Sequence, residues 1–253
     1  MKVFERRQDA ADFLVTVEHQ VLTGDYVDHT AGRVRVEDYL EDWRKAQAHR
    51  DSTRSQVETF FRVHVYPTLG RHRLNALRPS HVQAWVTALT DTLAPATIET
   101  VFRHLSAAMK AAVNDRLIGR SPCDGVKLPR KEKRKAQAPT IDQVMAIRSG
   151  MAARYQALVL LASGTGLRLG EALGLTVDRV DFLRRTITVD RQLITPSTGR
   201  PVFGPPKTPS SNRVIPVAEA VLIELAEHLR LHPALGDDAG EFTGLIFHTE
   251  AGA

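Results

Sequence analysis

The chain has 253 residues, of which 43% are hydrophobic, and this composition excludes a disordered tail and allows one or two domains with real cores. Its 34 basic against 29 acidic residues give a net charge of +5 and a pI near 9.5, which suits a polyanionic partner without proving one. One cysteine, Cys123, excludes an intrachain disulfide, and we expect a cytoplasmic protein because no signal peptide or apolar run of about 20 residues is visible.

Helical periodicity dominates the first half of the sequence. Apolar residues at helical spacing predict a helix over 8 to 22, with little before it to pack against. Four more helices are predicted: from Val34 to Trp43, from Val57 to an end at Tyr66-Pro67, from Ser80 to Leu89, and from about Pro95 to Leu117. Short loops join these four, so we predict an all-α domain over residues 34 to 120.

A basic stretch, "KLPRKEKRKAQAPT" at 127 to 140, follows the predicted helices and has almost no apolar content. Such composition is typical of a solvated linker, which we predict over 121 to 139. Two interpretations stay open: a tether that is basic for solubility alone, or a strap lying along phosphates. If the polyanion is DNA, the strap would bind it through Lys127, Arg130, Lys131, Lys133, Arg134 and Lys135.

The second half of the sequence, 140 to 253, mixes periodicities and predicts a domain of helices with a small antiparallel sheet. Helices are predicted from Ile141 to Met151, from Tyr155 to Leu175 with interruptions at Gly164 and Gly166, and over 218 to 231. The β-branched alternation of 185 to 194 and of 212 to 217 predicts two strands, the second reached through the loop "FGPPKTPSS".

The apolar stretch "SGTGLRLGEALGLTVDRVDF" at 163 to 182 contains a charged Arg168 that should have an anionic partner, because burying an unpaired guanidinium is costly. Glu171, three residues on, can pair with it as in any helix. Yet the glycines upstream allow close backbone approach of a ligand, and a helix restarting near Thr165 would point N–H groups at the same place. An Arg168 held by Glu171 would suit bidentate contact with a phosphate.

The chain lacks a P-loop, a dinucleotide fingerprint, a His-Glu-x-x-His motif and a cysteine pair, so we expect no cofactor and no metal. Lys207 lies in the loop before the second strand, where a lysine is usually just solvated. Lys207 becomes a candidate site residue only through the sequence around it.

"TGLRLGEALGLTVDRVDF" resembles the first signature box of the tyrosine recombinases, the phage-integrase family, and "PPKTPSSNRVIPV" resembles their β-hairpin with its catalytic lysine and following Ser-x-Arg. "YPTLGRHRLNALRPSHVQAWVTAL" and "AAMKAAVNDRLIGRSPCDGVKLP" resemble the core-binding helical domain of that family. "KVFERRQDAADFLVTVEHQVLTGDYVD" resembles the tail of an arm-type DNA-binding domain, which we assign to residues 1 to 30.

The resemblance implies a fold that is mainly α with a small antiparallel sheet: an all-α core-binding domain followed by a partial α+β catalytic domain. It also implies roles: Arg168 clamps the scissile phosphate, Glu171 orients it, and Lys207 protonates the leaving 5′-oxygen. In the family a His-x-x-Arg motif and a nucleophilic tyrosine complete the site, with no metal and no ATP.

The sequence departs from the family pattern after Lys207. No His-x-x-Arg follows, and all four tyrosines, Tyr26, Tyr39, Tyr66 and Tyr155, precede Arg168. We therefore expect a recombinase truncated at its C-terminus and also at its N-terminus, which by itself does not recombine DNA because its catalytic site is incomplete.

Three interpretations stay open. The first, which we favour, is a truncated recombinase that binds double-stranded DNA at attachment sites, without a membrane partner and with a homo-oligomer on the DNA as an option. The second is an active strand-transfer enzyme completed by a missing segment or a partner chain. The third is a non-catalytic helical DNA-binding protein in which Arg168 and Lys207 are surface residues.

Overall fold

The computed structural model of the chain describes residues 6–8, 11, 14–15, 31–132, 137–196 and 199–249. The chain forms two compact units, Met1–Arg134 and Lys135–Ala253. The helix predicted over 8 to 22 and the arm-type segment assigned to 1 to 30 fall mostly outside the described residues, so both stay predictions. Among the described helices, none is long and apolar enough to cross a membrane.

The first unit is helical. Its elements are α1 (Val36–Ala46), α2 (Asp51–Phe60), a π-helical continuation of α2 (Phe61–Gly70), α3 (Pro79–Leu89) and α4 (Pro95–Asn114). All four predicted helices are therefore present. The second helix does not end at Tyr66-Pro67 as predicted, because Pro67 lies within the π segment and the winding changes there instead of stopping.

The core of this helical unit forms where the apolar stripes of its helices meet. Phe61, Leu105 and Met109 are fully buried, and Trp85 is 1% exposed. Two polar groups of the core are bonded to backbone carbonyls: Trp85 Nε1 donates to His64 O at 2.6 Å, and the Tyr39 hydroxyl donates to Ala108 O at 3.1 Å. Apolar burial with paired polar groups is what stabilises such a bundle.

The start of the predicted linker packs onto the helical unit. Ser121, Pro122 and Cys123 are buried, and burial raises the pKa of the Cys123 thiol to about 12. The backbone of Lys127 is bonded at both ends to the Gln83 side chain, with Lys127 N–H donating at 2.8 Å and Gln83 Nε2 donating back to Lys127 O at 3.0 Å. The chain is thus packed into the helical unit at 121 to 123 and bonded to α3 at Lys127.

The second unit combines helices with short strands. Its helices are α5 (Ile141–Gly150), α6 (Ala153–Thr165), α7 (Leu169–Leu173) and α8 (Glu219–Leu231); its strands are β1 (Val180–Asp181), β2 (Thr186–Val189), β3 (Gln192–Ile194), β4 (Val202–Gly204) and β5 (Arg213–Pro216). One antiparallel sheet has the order β1-β2-β5, and β3 pairs with β4 in a separate hairpin. Leu161, Ile187 and Leu225 lie in the core between the helices and the larger sheet.

Two local predictions for this unit need correction. The strand predicted over 185 to 194 is two strands, because Asp190 accepts hydrogen bonds from Arg179 Nε at 2.8 Å and Arg191 Nε at 3.1 Å and the chain turns there toward β4. The helical stretch predicted from Tyr155 to Leu175 is interrupted at Gly166 as predicted, but Gly164 lies within α6, and the helix restarts at Leu169 and not near Thr165. The predicted fold class, a helical domain followed by an α+β domain with small antiparallel sheets, is confirmed.

Candidate active site around Arg168

Arg168 is placed by a break between two helices. The residue that follows α6, Gly166, adopts a left-handed conformation with φ of 67°, which favours glycine. Leu167 then anchors the turn with a side chain that is 7% exposed. Arg168 follows in an extended conformation immediately before α7, and its backbone N–H donates to Glu171 Oε2 at 3.0 Å. The break therefore fixes the backbone of Arg168 at the start of a new helix.

Glu171 is the centre of the site, with a side chain that is only 1% exposed. Its Oε1 accepts from Arg168 Nη1 at 2.9 Å, and its Oε2 accepts from Arg213 Nη2 at 2.8 Å. The Arg213 hydrogen bond, followed by those from Arg168, lowers the pKa of Glu171 to about 2 against the opposing effect of burial. The carboxylate is thus ionised at neutral pH and holds two guanidinium groups.

The Arg168 side chain is fixed at one edge and open at the other. Its Nη1 serves both Glu171 and Ser211 Oγ, the latter at 3.3 Å. Its Nε and Nη2 make no hydrogen bond with any residue that the structure describes, and the side chain is 57% exposed. A planar donor held at one edge with N–H groups facing solvent can bind an oxyanion in a fixed orientation.

The loop of Lys207 joins the same site through Ser211. Thr208 and Ser211 share a side-chain hydrogen bond of 2.9 Å, and Ser211 N–H donates to Thr208 O at 2.9 Å. Lys207 precedes Thr208 and is exposed, and its ammonium has no hydrogen bond or ion pair within the described part of the chain. The structure thus brings together Arg168, Glu171 and the loop that carries Lys207.

Arg213 is a site residue that was not predicted. It opens β5, opposite Val189 of β2, and its Nη1 also donates to Ser211 O at 2.9 Å. The signal available in the sequence is the Ser-x-Arg that follows the lysine loop, Ser211 and Arg213. Sequence spacing alone could not reveal the contact, since Arg213 lies 42 residues from Glu171.

The predicted DNA-binding residues of the linker are distant in sequence from Arg168, Glu171 and the Lys207 loop. Lys127 and Arg130 are exposed, and the Lys131 ammonium forms an ion pair with Glu99. The remaining three, Lys133, Arg134 and Lys135, lie outside the described residues. The strap interpretation stays a prediction.

The described tyrosines are engaged in packing. The Tyr39 hydroxyl is bonded within the helical core, and the Tyr66 hydroxyl donates to Glu41 Oε1 at 2.7 Å. Burial and that carboxylate raise the pKa of Tyr66. Tyr155 packs against the core of the second unit. Tyr26 lies outside the described residues.

Comparison with known proteins agrees with these features. The phage integrase family model matches residues 134–247, and the model for the phage integrase N-terminal SAM-like domain matches residues 35–90. A putative prophage phiRv2 integrase of Mycobacterium tuberculosis is 27% identical over 197 residues, which cover 77% of this chain and 52% of that protein. A XerC-like tyrosine recombinase of Caldanaerobacter subterraneus is 29% identical, over 62% of this chain and 45% of that protein. The chain therefore spans about half the length of the curated relatives it matches.

Solved structures share the fold. The Tn1549 transposon integrase in complex with a circular intermediate DNA has 23% identity and a TM-score of 0.73, covering 85% of this chain and 71% of that one. A lambda integrase dimer bound to a core site has 13% identity and a TM-score of 0.64, covering 99% and 69%. With both family models, the signature residues and the shared fold in agreement, the chain belongs to the phage integrase family of tyrosine recombinases.

Proposed function

We propose that this chain is a site-specific DNA recombination protein whose two units bind double-stranded DNA at attachment sites. The observation that carries the proposal is the ionised, buried Glu171, which holds Arg168 and Arg213 while part of Arg168 remains open to an anion. A phosphodiester presents two non-bridging oxygens that share one negative charge, and a planar guanidinium can bind both of them through parallel hydrogen bonds.

In a site that a nucleophile completes, the residues divide the work on a phosphate as follows. Arg168 binds the non-bridging oxygens and stabilises the charge that develops on them during attack. Glu171 and Arg213 are positioning residues, since Glu171 fixes the guanidinium of Arg168 and Arg213 keeps Glu171 ionised. Lys207 donates a proton to the leaving 5′-oxygen from a loop whose backbone is tied to Ser211 but whose ammonium is free to move.

Strand transfer also needs a nucleophile, and we propose that the polypeptide of these 253 residues binds DNA without cutting it. Supporting this, the hydroxyl groups of Tyr39 and Tyr66 are committed to Ala108 O and Glu41 within the helical unit. A recombinase in which further residues or a partner chain supply the tyrosine is the alternative, and it uses the same phosphate site.

Two measurements test this proposal together. The affinity for a duplex of about 30 base pairs should fall at least about a hundredfold between about 50 and about 200 mM salt, as expected for four or more phosphate contacts. Incubation with a nicked suicide duplex should leave no denaturant-resistant adduct. An affinity independent of salt contradicts the DNA-binding proposal, and an adduct contradicts the absence of cutting while supporting the enzyme alternative.

Two further features of the function are proposals that depend on DNA as the partner. The similar lambda integrase structures contain a dimer on a core site and a tetramer on a Holliday junction. We propose that this chain likewise assembles as a homo-oligomer on DNA. Since chromosomal and prophage DNA are its expected substrates, we place the protein in the cytoplasm.

A further inference from the structure

The helical unit carries a cluster of arginines at the place where the segment before α1 meets the segment before α3. We call this cluster the arginine turn; its members, all exposed, are Arg33, Arg35, Arg71, Arg73 and Arg78. The cluster is separate in sequence from the basic linker and from Arg168, and neither the site chemistry nor the linker prediction uses it.

Backbone pairing holds the two segments of the arginine turn together. Arg35 and Arg73 face each other in an isolated antiparallel bridge. The bridge is flanked by two backbone hydrogen bonds of 2.9 Å, from Val36 N–H to His72 O and from Leu74 N–H to Val34 O. Residues directly opposite in an antiparallel pair have Cβ atoms about 5 Å apart. The side chains of Arg35 and Arg73 therefore begin as close neighbours.

Buried apolar residues anchor the backbone beneath the arginines. Val36 is fully buried, and Leu74 and Leu77 are 1% and 7% exposed, so apolar anchors alternate with the exposed arginines. The rings of His72 and His81 stack with centroids 4.8 Å apart and planes at 26°, which ties the turn to the first residues of α3. A preformed frame lowers the entropy that binding must overcome.

The arginine turn carries positive charge that no ion pair offsets among the described residues. None of the five arginines forms an ion pair with a carboxylate within the described residues, whereas elsewhere in the same unit Arg44, Arg54 and Arg120 are paired with Glu41, Asp51 and Asp124. One carboxylate, Glu37, lies against Gly70 at the start of the turn but makes no ion pair with the cluster. Like charges directly opposite each other repel, so we expect the Arg35–Arg73 pair to weaken the bridge between the two segments in the free protein.

We propose that the arginine turn binds the phosphate backbone of duplex DNA and gives the helical unit a phosphate contact of its own. This inference rests on the proposed function, in which DNA is the partner. A polyanion that lies across Arg35 and Arg73 removes their repulsion, and guanidinium groups contact phosphate oxygens without reading bases. The turn therefore contributes affinity that does not depend on DNA sequence.

The test compares two double variants of the full chain with the wild type. The variant Arg35→Gln/Arg73→Gln removes two charges from the turn, and the control Arg54→Gln/Arg120→Gln removes two charges that are paired with carboxylates in the same unit. Affinity for two unrelated duplexes of about 30 base pairs is measured by fluorescence anisotropy as a function of salt. Urea unfolding of the free proteins is followed by tryptophan fluorescence, which reports the helical unit because Trp43 and Trp85 both lie there.

For the turn variant we expect the slope of log affinity against log salt to become shallower by about two and the affinity at low salt to fall about tenfold or more, equally for both duplexes. We expect the unfolding midpoint of the turn variant to stay the same or rise, because the repulsion between two arginines has been removed. We expect the control variant to keep the salt slope of the wild type.

Three results would overturn the inference. An unchanged slope in the turn variant, with steep salt dependence in the wild type, refutes the arginine turn and leaves the proposed function standing. A loss confined to one duplex indicates base readout and also refutes it. Salt-independent binding by the wild type refutes the proposed function and the inference together.

Discussion

Replacing Glu171 with glutamine should destabilise the second unit through the loss of one charge. The side chain keeps its size, but one of the two acceptor oxygens that bind Arg168 and Arg213 is replaced by an NH2 group, which faces a guanidinium as donor against donor. The pKa of Glu171 falls from an ordinary 4.5 to about 2. A pKa difference of one corresponds to about 1.4 kcal/mol. The ionised carboxylate of Glu171 therefore contributes about 3 kcal/mol to the free energy of unfolding.

The sign of the pH dependence follows from that lowered pKa. A group whose pKa is lower in the folded state stabilises the fold above its unfolded pKa, and the contribution is lost as the pH falls through the folded value. The difference in unfolding free energy between wild type and Glu171→Gln should therefore be constant above about pH 5 and shrink as the pH falls from about 4.5 toward 2.

Urea unfolding of the full chain measures this difference at neutral pH. With a slope of about 2 kcal/mol per M, a loss of about 3 kcal/mol lowers the midpoint by about 1 to 2 M. Far-UV circular dichroism reports both units, and tryptophan fluorescence reports the helical unit as an internal reference. The matched control is Glu227→Gln, which removes an exposed carboxylate paired with Arg230 and should shift the midpoint very little. A Glu171→Gln midpoint equal to that of the control would refute the reasoning.

Three smaller predictions concern single groups. Gly166→Ala should cost about 1 kcal/mol of unfolding free energy through its positive φ alone, since no atom lies within 4 Å of an added Cβ, and a urea midpoint equal to the wild type would contradict this. Tyr39→Phe should cost about 1 kcal/mol, measured by tryptophan fluorescence, because Ala108 O loses its buried donor; a stabilised variant would contradict it. Cys123, with a buried thiol and a pKa raised to about 12, should resist iodoacetamide at pH 8 until urea unfolds the chain; rapid labelling of the native protein would contradict it.

Local patterns predicted most of the fold. Apolar spacing predicted α1 to α4, and Gly166 marks the predicted break between α6 and α7, although the sequence did not predict that α7 begins as late as Leu169. The division of the strand at Asp190 was missed, because the β-branched alternation is nearly continuous through it and only the pairing of β3 with β4 separates the two strands.

In the site, as in the fold, contacts between residues close in sequence were predictable and contacts between distant residues were not. The Arg168–Glu171 pair was predictable because residues three apart share a helical face. That Glu171 also binds Arg213 depends on how β5 packs beside α7, which no spacing in the sequence encodes. The link from Lys207 to Arg168 likewise depends on a tertiary contact, the bond between Arg168 and Ser211.

The most direct test of the central claim, that Arg168 holds a DNA phosphate, compares Arg168→Ala with Arg230→Ala in duplex binding. Both arginines are exposed and pair with a glutamate three residues away, with side chains 57% and 66% exposed, so the two changes remove equivalent charges. We expect Arg168→Ala to weaken binding and reduce the salt slope by about one, while Arg230→Ala leaves both unchanged. Equal behaviour of the two variants would contradict the claim and make Arg168 an ordinary surface arginine.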